Sequence, residues 1–288
     1  MKKIFLEKKQ QKIFIPYLQK LEQKMSIKIT ILGCGSSGGV PRVGFGWGDC
    51  NPKNEKNRRT RCSLLVEKKI YSVKISVLID AGPDIRQQML SADVQNLDAI
   101  LFTHPHADHV HGIDDLRTLA YKKRSKIPVW ADLSTQKRLN EGFGYIFSTP
   151  KNSKYPPICE LNLIENEQII IDCSQTKIEF LPLIVNHGEI DSLGFKFENV
   201  AYIPDVLDIY PETWQQLQDL DLLIIDALRR DPHPSHTHLE KTLGWLKELK
   251  PKKAILTNLH NDLDYDSLKK ELPSEIEPAY DGLTILIS

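Results

Sequence analysis

Four side chains that could bind a metal ion fall within six residues of this chain. The stretch His104-Pro-His106-Ala-Asp108-His109 follows an apolar segment, residues 98–103, that has the pattern of a buried strand. Imidazole and carboxylate groups together suit Zn²⁺, Mn²⁺ or Fe²⁺. Because clustered histidines have no packing role, the pattern predicts a loop that curls around metal. His104 and His106 point the same way in an extended stretch, which leaves Asp108 and His109 to face a second centre.

Three more residues of the ligand type follow later predicted strands one at a time: His187, Asp205 and His260. Each alone would be an ordinary loop residue, but with the cluster they complete two metal sites. One site is predicted to use His104, His106 and His187, the other Asp108, His109 and His260, with Asp205 bridging. Two metal ions ~3.5–4 Å apart lower the pKa of a bridging water towards 7, which yields a hydroxide nucleophile.

The cluster, preceded by Leu-Ile-Asp-Ala-Gly at residues 78–82, resembles the metallo-β-lactamase superfamily over about residues 26–288. The resemblance implies an α/β fold, a four-layer αββα sandwich of two mixed β-sheets flanked by helices, with the metals at one edge of the sheets. It also implies that Asp80 orients the ligands and that Asp108 is both a ligand and a catalytic residue. His106, in place of a glutamate, indicates hydrolytic rather than redox di-iron chemistry.

A finer resemblance is to the phosphoribosyl 1,2-cyclic phosphate phosphodiesterase family, which is related to ribonuclease Z. The Gly-rich stretch 33–41 is similar to the opening of that family, and Asn-His at 186–187 and Ile-Pro-Asp at 203–205 match its later ligand patterns. The stretch 234–239 matches the part that carries a non-ligand histidine. The resemblance implies that His236 protonates the leaving alkoxide, a task that suits imidazole near neutral pH.

Two features depart from that family. A cysteine cluster after its Gly-rich opening forms a structural zinc site, whereas residues 46–52 here keep only Cys50, which we expect to be a buried thiol. The family also has Thr-His directly after a late strand, whereas Thr257 is followed here by Asn258. We interpret His260 as the displaced ligand.

Alternating apolar patterns predict the elements that must position these residues. Strands are expected near residues 27–32, 63–67, 75–79, 98–103, 127–130, 177–185, 194–197, 200–203, 222–226, 253–256 and 283–287. Helices are expected near 134–141, 212–219, 238–249 and 266–271, and a loop over 142–160. The basic run at 58–61 is interpreted as a solvated face, with a phosphate-facing role as the alternative.

Composition excludes several classes of protein. The chain has 288 residues, of which 41% are hydrophobic and 26% are charged, which is typical of a globular protein rather than a disordered one. It has five cysteines and no CxxC motif, which favours a reducing, cytoplasmic location. No apolar run approaches the ~20 residues that span a bilayer, so no membrane partner is expected.

Charge is distributed unevenly along the chain. Residues 1–24 hold seven Lys and two Glu, a net charge of +5, so the other 264 residues sum to −5. We predict an N-terminal extension over residues 1–25, with organelle targeting as an alternative, and one hydrolase domain over 26–288. The acidic body argues against nucleic acid as a partner, because phosphate contacts need excess Lys and Arg.

The sequence therefore predicts a binuclear metal-dependent hydrolase with two divalent ions per chain, Zn²⁺ or Mn²⁺, with Fe²⁺ as a further candidate. A small cyclic or diester phosphate is the expected substrate, attacked by a metal-bridging hydroxide, and a homodimer is the base-rate expectation. Three alternatives stay open: a ribonuclease Z-like endoribonuclease, a thioester, lactone or amide hydrolase, and a metal-binding scaffold without activity.

Overall fold

The computed structural model describes residues 25–71, 73–165, 167–173 and 176–287. The strands are β1 (Met25–Gly33), β2 (Ser63–Ile70), β3 (Val73–Ile79), β4 (Ala99–Leu101), β5 (Ile127–Ala131), β6 (Cys159–Leu163), β7 (Ile169–Cys173), β8 (Thr176–His187), β9 (Ile190–Phe197), β10 (Val200–Ile203), β11 (Asp208–Ile209), β12 (Leu222–Asp226), β13 (Lys253–Thr257), β14 (Ile276–Pro278) and β15 (Thr284–Ile287). The helices are α1 (Ile85–Ser91), α2 (Ala107–Val110), α3 (Arg117–Lys123), α4 (Leu133–Phe143), α5 (Pro211–Gln216), α6 (Leu239–Leu249) and α7 (Tyr265–Glu271). The predicted extension, 1–25, lies outside the described residues except for Met25, which begins β1. None of the described helices is long and apolar enough to cross a membrane.

These strands form two mixed sheets. The first has the order β15-β1-β2-β3-β4-β5-β6, and the second has the order β11-β8-β9-β10-β12-β13-β14, with β7 paired to β8. In the first sheet β3, β4, β5 and β6 run parallel, and in the second β10, β12, β13 and β14 do so. The carboxyl ends of parallel strands meet at the same edge of each sheet.

Side-chain alternation along the strands explains the layers. In β2, Leu64 and Val66 pack between the sheets, whereas Leu65 packs on the opposite face under the helices. A third buried cluster lies between the second sheet and α5, α6 and α7. Each sheet is therefore buried on both faces, and the predicted four-layer αββα sandwich is confirmed.

The apolar patterns locate most elements, including α4, α6 and α7, within a few residues of their observed bounds. The sequence does not predict α1, whose Asp84 lacks an N-cap bond and instead pairs with Arg61 at 2.9 Å. The sequence also does not predict the strands β6, β7, β11 and β14, of which β6 begins within the loop expected over 142–160. The basic run at 58–61 is not wholly solvated, because Arg59 is 1% exposed and donates to the carbonyl oxygens of His260 and Leu263.

Asp264 offers a stability test, because it is the N-cap of α7 and accepts bonds from the backbone amides of Ser267 and Asn51. Burial alone would raise the pKa of Asp264, but these donors outweigh burial and lower it to about 2. We expect Asp264→Ala to reduce the free energy of unfolding by about 1 kcal/mol.

The stabilisation by Asp264 is complete above its unfolded pKa of about 3.9 and is lost as pH falls towards 2. Urea denaturation should therefore show a larger deficit for Asp264→Ala at pH 5 than at pH 3. Glu248→Ala, on the exposed face of α6, is the control and should change little. An equal deficit at both pH values would refute the role of this carboxylate.

Candidate metal centre

The imidazoles of His104, His106 and His187 converge, as their positions after predicted strands led us to expect. His104 and His106 follow β4 and His187 ends β8, so all three lie at the shared edge of the sheets. His104 Nε2 lies 3.0 Å from His106 Nδ1, which lies 3.3 Å from His187 Nε2. Ligand atoms ~2.0–2.1 Å from one tetrahedral zinc ion are ~3.3 Å apart, so these spacings fit a shared cation. His104 and His187 are buried, whereas His106 faces solvent.

One buried carboxylate, Asp80, determines the tautomers of two histidines of the cluster, His104 and His109. Its Oδ2 accepts from the hydroxyl of Thr103 at 2.9 Å and from His109 Nδ1 at 2.7 Å. Because that hydroxyl donates to Asp80, its oxygen accepts from His104 Nδ1, also at 2.9 Å. In the neutral imidazoles, the Nε2 atoms of His104 and His109 are then left without a proton and can bind metal.

The second part of the centre contains His109, Asp205 and Asp108. His109 Nε2 lies 3.1 Å from Asp205 Oδ2 and 3.5 Å from Asp108 Oδ2. The one-turn helix α2 (Ala107–Val110) produces this approach, because it returns the chain after the extended His-Pro-His stretch. His104, His109 and Asp205 form a second group with metal-ligand spacing, so Asp205 stands between the two parts.

His236 joins this cluster from the loop that precedes α6. It forms a third group with His187 and Asp205, and its Nδ1 donates to Asp226 Oδ2 at 2.8 Å. Burial alone would lower the pKa of His236, but the Asp226 carboxylate outweighs burial and raises it. The sequence analysis does not predict this role of Asp226, because Asp80 is recognised by a family motif and Asp226 carries none, although both carboxylates follow or end an apolar strand.

The structure does not bring His260 into the cluster, which corrects the expectation that it is a displaced ligand. Its Nε2 meets the guanidinium of Arg42 and its Nδ1 lies 3.2 Å from Asp262 Oδ1. Asn258 occupies the strand end instead. Its Nδ2 lies 3.4 Å from Asp205 Oδ1 and 3.2 Å from His236 Nδ1.

The charges of the cluster fit a bound cation. Asp80, Asp108 and Asp205 all face His109, and together they outweigh burial and raise the pKa of that imidazole. Among the described residues, none of these carboxylates pairs with Lys or Arg. Asp205 Oδ2 is buried, and in the described part of the chain no hydrogen-bond donor faces it other than His109 Nε2, 3.1 Å away. Divalent ions would balance this excess negative charge and satisfy that oxygen.

Cys50 is buried, as expected, and donor groups of the described residues do not form a metal cluster around it. Burial raises the pKa of its thiol. The described structure therefore gives no support for a structural metal in the loop after the Gly-rich stretch.

The two-sheet αββα sandwich carries a candidate metal-binding cluster of His and Asp residues at its strand ends. The chain belongs to the beta-lactamase superfamily, because the family model described as "Beta-lactamase superfamily domain" matches residues 76–258. That span runs from β3 to Asn258 and contains every member of the three groups above. The resemblance predicted from the motifs is thereby confirmed.

Similar proteins place the chain near two branches of the superfamily. A solved structure described as a new diphosphatase from the PhnP family is 33% identical, with a TM-score of 0.81, and the match covers 91% of this chain and 98% of that one. A Porphyromonas gingivalis octanoyltransferase is 34% identical over 91% of this chain and 52% of that protein. A Bradyrhizobium diazoefficiens ribonuclease Z is 30% identical over 54% of this chain and 50% of that protein. The chain spans about half the length of the curated relatives it matches.

Removal of the Asp80 carboxylate should loosen both parts of the centre. We expect Asp80→Asn to weaken metal binding by about 10–100-fold, because both His104 and His109 lose their fixed tautomer. Thr103→Val removes the hydroxyl that links Asp80 to His104 but keeps the bond from His109 Nδ1 to Asp80, so it should have a smaller effect. Calorimetric titration of the metal-stripped protein with Zn²⁺ measures both; equal effects of the two variants would contradict the shared role of Asp80.

Substitution of Gly82 tests the packing of the segment 104–109, which carries four of the candidate metal ligands. A Cβ at Gly82 would lie 1.9 Å from the carbonyl oxygen of Asp108, so the loop would have to move. Gly82→Ala should destabilise by more than the ~1–3 kcal/mol typical of overpacking. Gly244→Ala, where a Cβ in α6 meets nothing within 4 Å, should instead stabilise by up to about 1 kcal/mol. Thermal unfolding distinguishes the two, and an unchanged midpoint for Gly82→Ala would refute the close approach.

Proposed function

We propose that this protein is a metal-dependent phosphodiesterase that hydrolyses small cyclic or diester phosphates. The observation that carries the proposal is the placement of His236, an imidazole tied to its own carboxylate, beside Asp205 at the metal cluster. Two bound divalent ions would neutralise the non-bridging phosphate oxygens and lower the pKa of a bound water. His104, His106 and His187 would hold one ion, and Asp108, Asp205 and His109 the other.

His236 would serve the departure of the leaving group. Since its Nδ1 is bonded to Asp226, its Nε2 can carry the proton that the leaving oxygen needs. As the bond from phosphorus to that oxygen breaks, Nε2 would give up its proton and the new O–H bond would form. Asp226 would stabilise the charged imidazole before the transfer and fix its orientation.

The surroundings of the cluster suit an anionic substrate. The guanidinium of Arg42 meets the imidazole of His260 and the ring of Phe45, and it forms no ion pair with a carboxylate within the described ranges. His260 lies only two residues beyond Asn258, whose side chain contacts the cluster. An arginine without a carboxylate partner near a metal centre favours phosphate, which guanidinium binds with two parallel hydrogen bonds.

Two of the relatives, the PhnP-family diphosphatase and the ribonuclease Z, support phosphorus chemistry without identifying the substrate, whereas the name of the octanoyltransferase does not. The PhnP-family neighbour is described as a diphosphatase, and a diphosphate, like a phosphodiester, presents a bridging oxygen as the leaving atom. Ribonuclease Z-like cleavage is the alternative that the curated relative suggests. Between α2 and the end of β8, the described chain consists mainly of strands and helices that pack on the sheets, and it shows no extended basic arm.

A comparison of leaving groups tests the role of His236. We expect the protein to hydrolyse bis(p-nitrophenyl) phosphate and an alkyl phosphodiester, and to lose both activities with a chelator. His236→Ala should slow the alkyl substrate by about 10²–10⁴-fold, since an alkoxide needs a proton to leave, and should slow the p-nitrophenyl substrate far less.

Metal content separates this role from metal binding. His236→Ala should keep the metal that the wild-type protein holds, and His238→Asn, at the N-cap of α6, should leave both rates unchanged. Equal losses on the two substrates would refute the proton-donor role. Turnover of a precursor tRNA 3′ trailer without turnover of small diesters would favour the ribonuclease alternative.

A further inference from the structure

The two parts of the metal centre offer different donor atoms. The first presents three imidazole nitrogens, those of His104, His106 and His187. The second presents the single imidazole of His109 with the carboxylates of Asp108 and Asp205. Imidazole-rich sites favour zinc, whereas oxygen donors suit Mn²⁺ and Mg²⁺. The two positions are therefore chemically unequal.

Asn258 stands where the second position could receive another imidazole. It directly follows β13, is 3% exposed, and directs its amide Nδ2 at Asp205 Oδ1. A carboxamide that donates a hydrogen bond to Asp205 satisfies that oxygen but adds no nitrogen ligand. The second position is left with three donors from the described residues.

His260 cannot take that place without a rearrangement of its backbone. Its amide donates to the carbonyl of Leu228 at 2.8 Å, and its own carbonyl accepts from the buried Arg59 at 3.0 Å. Its ring lies between Arg42 and Asp262. Both the main chain and the side chain of His260 are thus fixed away from Asp205.

We propose that the two metal positions differ in affinity and preference. The three-imidazole position binds Zn²⁺ tightly, and the His109–Asp108–Asp205 position binds Zn²⁺ more weakly and favours Mn²⁺, because Asn258 offers it a carboxamide and no imidazole. The inference rests on the metal centre of the proposed function but not on the reaction, since binding is measured without substrate.

Calorimetric titration of the metal-stripped full chain, checked by elemental analysis, tests the inference. The wild-type protein should bind one Zn²⁺ at least about tenfold more tightly than the second, because loss of a partner that only orients a ligand already costs about 10–100-fold in metal affinity. Asn258→His should tighten the second Zn²⁺ by a similar factor. The φ angle of Asn258 is 59°, a value that histidine tolerates better than most residues.

Two further variants keep the test decisive. His260→Ala should leave the second affinity unchanged, and it answers the question even if Asn258→His fails to fold. Asn261→His adds an imidazole to the same loop beside the carbonyl of Gly46, away from the cluster, and should give no gain.

Two equal Zn²⁺ affinities in the wild-type protein, loss of one metal in His260→Ala, or the same gain from Asn261→His would each overturn the inference. Unequal binding without phosphodiester turnover would refute the proposed function and leave this inference standing.

Discussion

The buried carboxylate of Asp80 is the constraint on which the rest of the site depends. It lies at the end of β3 with a φ of 65°, an unfavourable angle that the bonds to Thr103 and His109 hold in place. The following residues pack directly on the ligand loop, since the amide of Ala81 donates to the carbonyl of His109 and Gly82 lies against Asp108. The Asp80 side chain thus connects the ends of β3 and β4 and fixes the tautomers of His104 and His109. The two residues that follow it hold the backbone of the ligand-bearing loop in place.

Much of this arrangement follows from local sequence pattern. Four ligand-type side chains in six residues have few explanations other than metal, and the structure places His104, His106, His109, His187 and Asp205 together. Consecutive apolar residues in strands such as β2, where Leu64, Leu65 and Val66 point to alternate faces, predict a sheet that is buried on both faces and therefore needs a covering layer on each side. These signals are short-range, so a single sequence contains them in full.

The parts that were missed depend on contacts between residues far apart in the chain. His260 was interpreted as a ligand because the pattern needed a histidine near that strand end, but Arg59, two hundred residues earlier, fixes its carbonyl elsewhere. Arg59 itself looks like part of a solvated basic run and is instead buried against two carbonyl oxygens. Asp226 supports His236 only because a loop folds back ten residues later. A local sequence pattern cannot predict contacts of this kind between residues that are distant in the chain.

We infer that the strand-end cluster is a metal centre whose imidazoles and carboxylates bind cations at defined atoms. Crystals grown with Zn²⁺ or Mn²⁺, measured at the absorption edge of the metal, test it most directly. We expect an anomalous peak ~2.0–2.1 Å from the facing nitrogens of His104, His106 and His187. A fully occupied metal site elsewhere in the protein, or the absence of a peak in this cluster at saturating metal, would contradict the assignment of the metal centre.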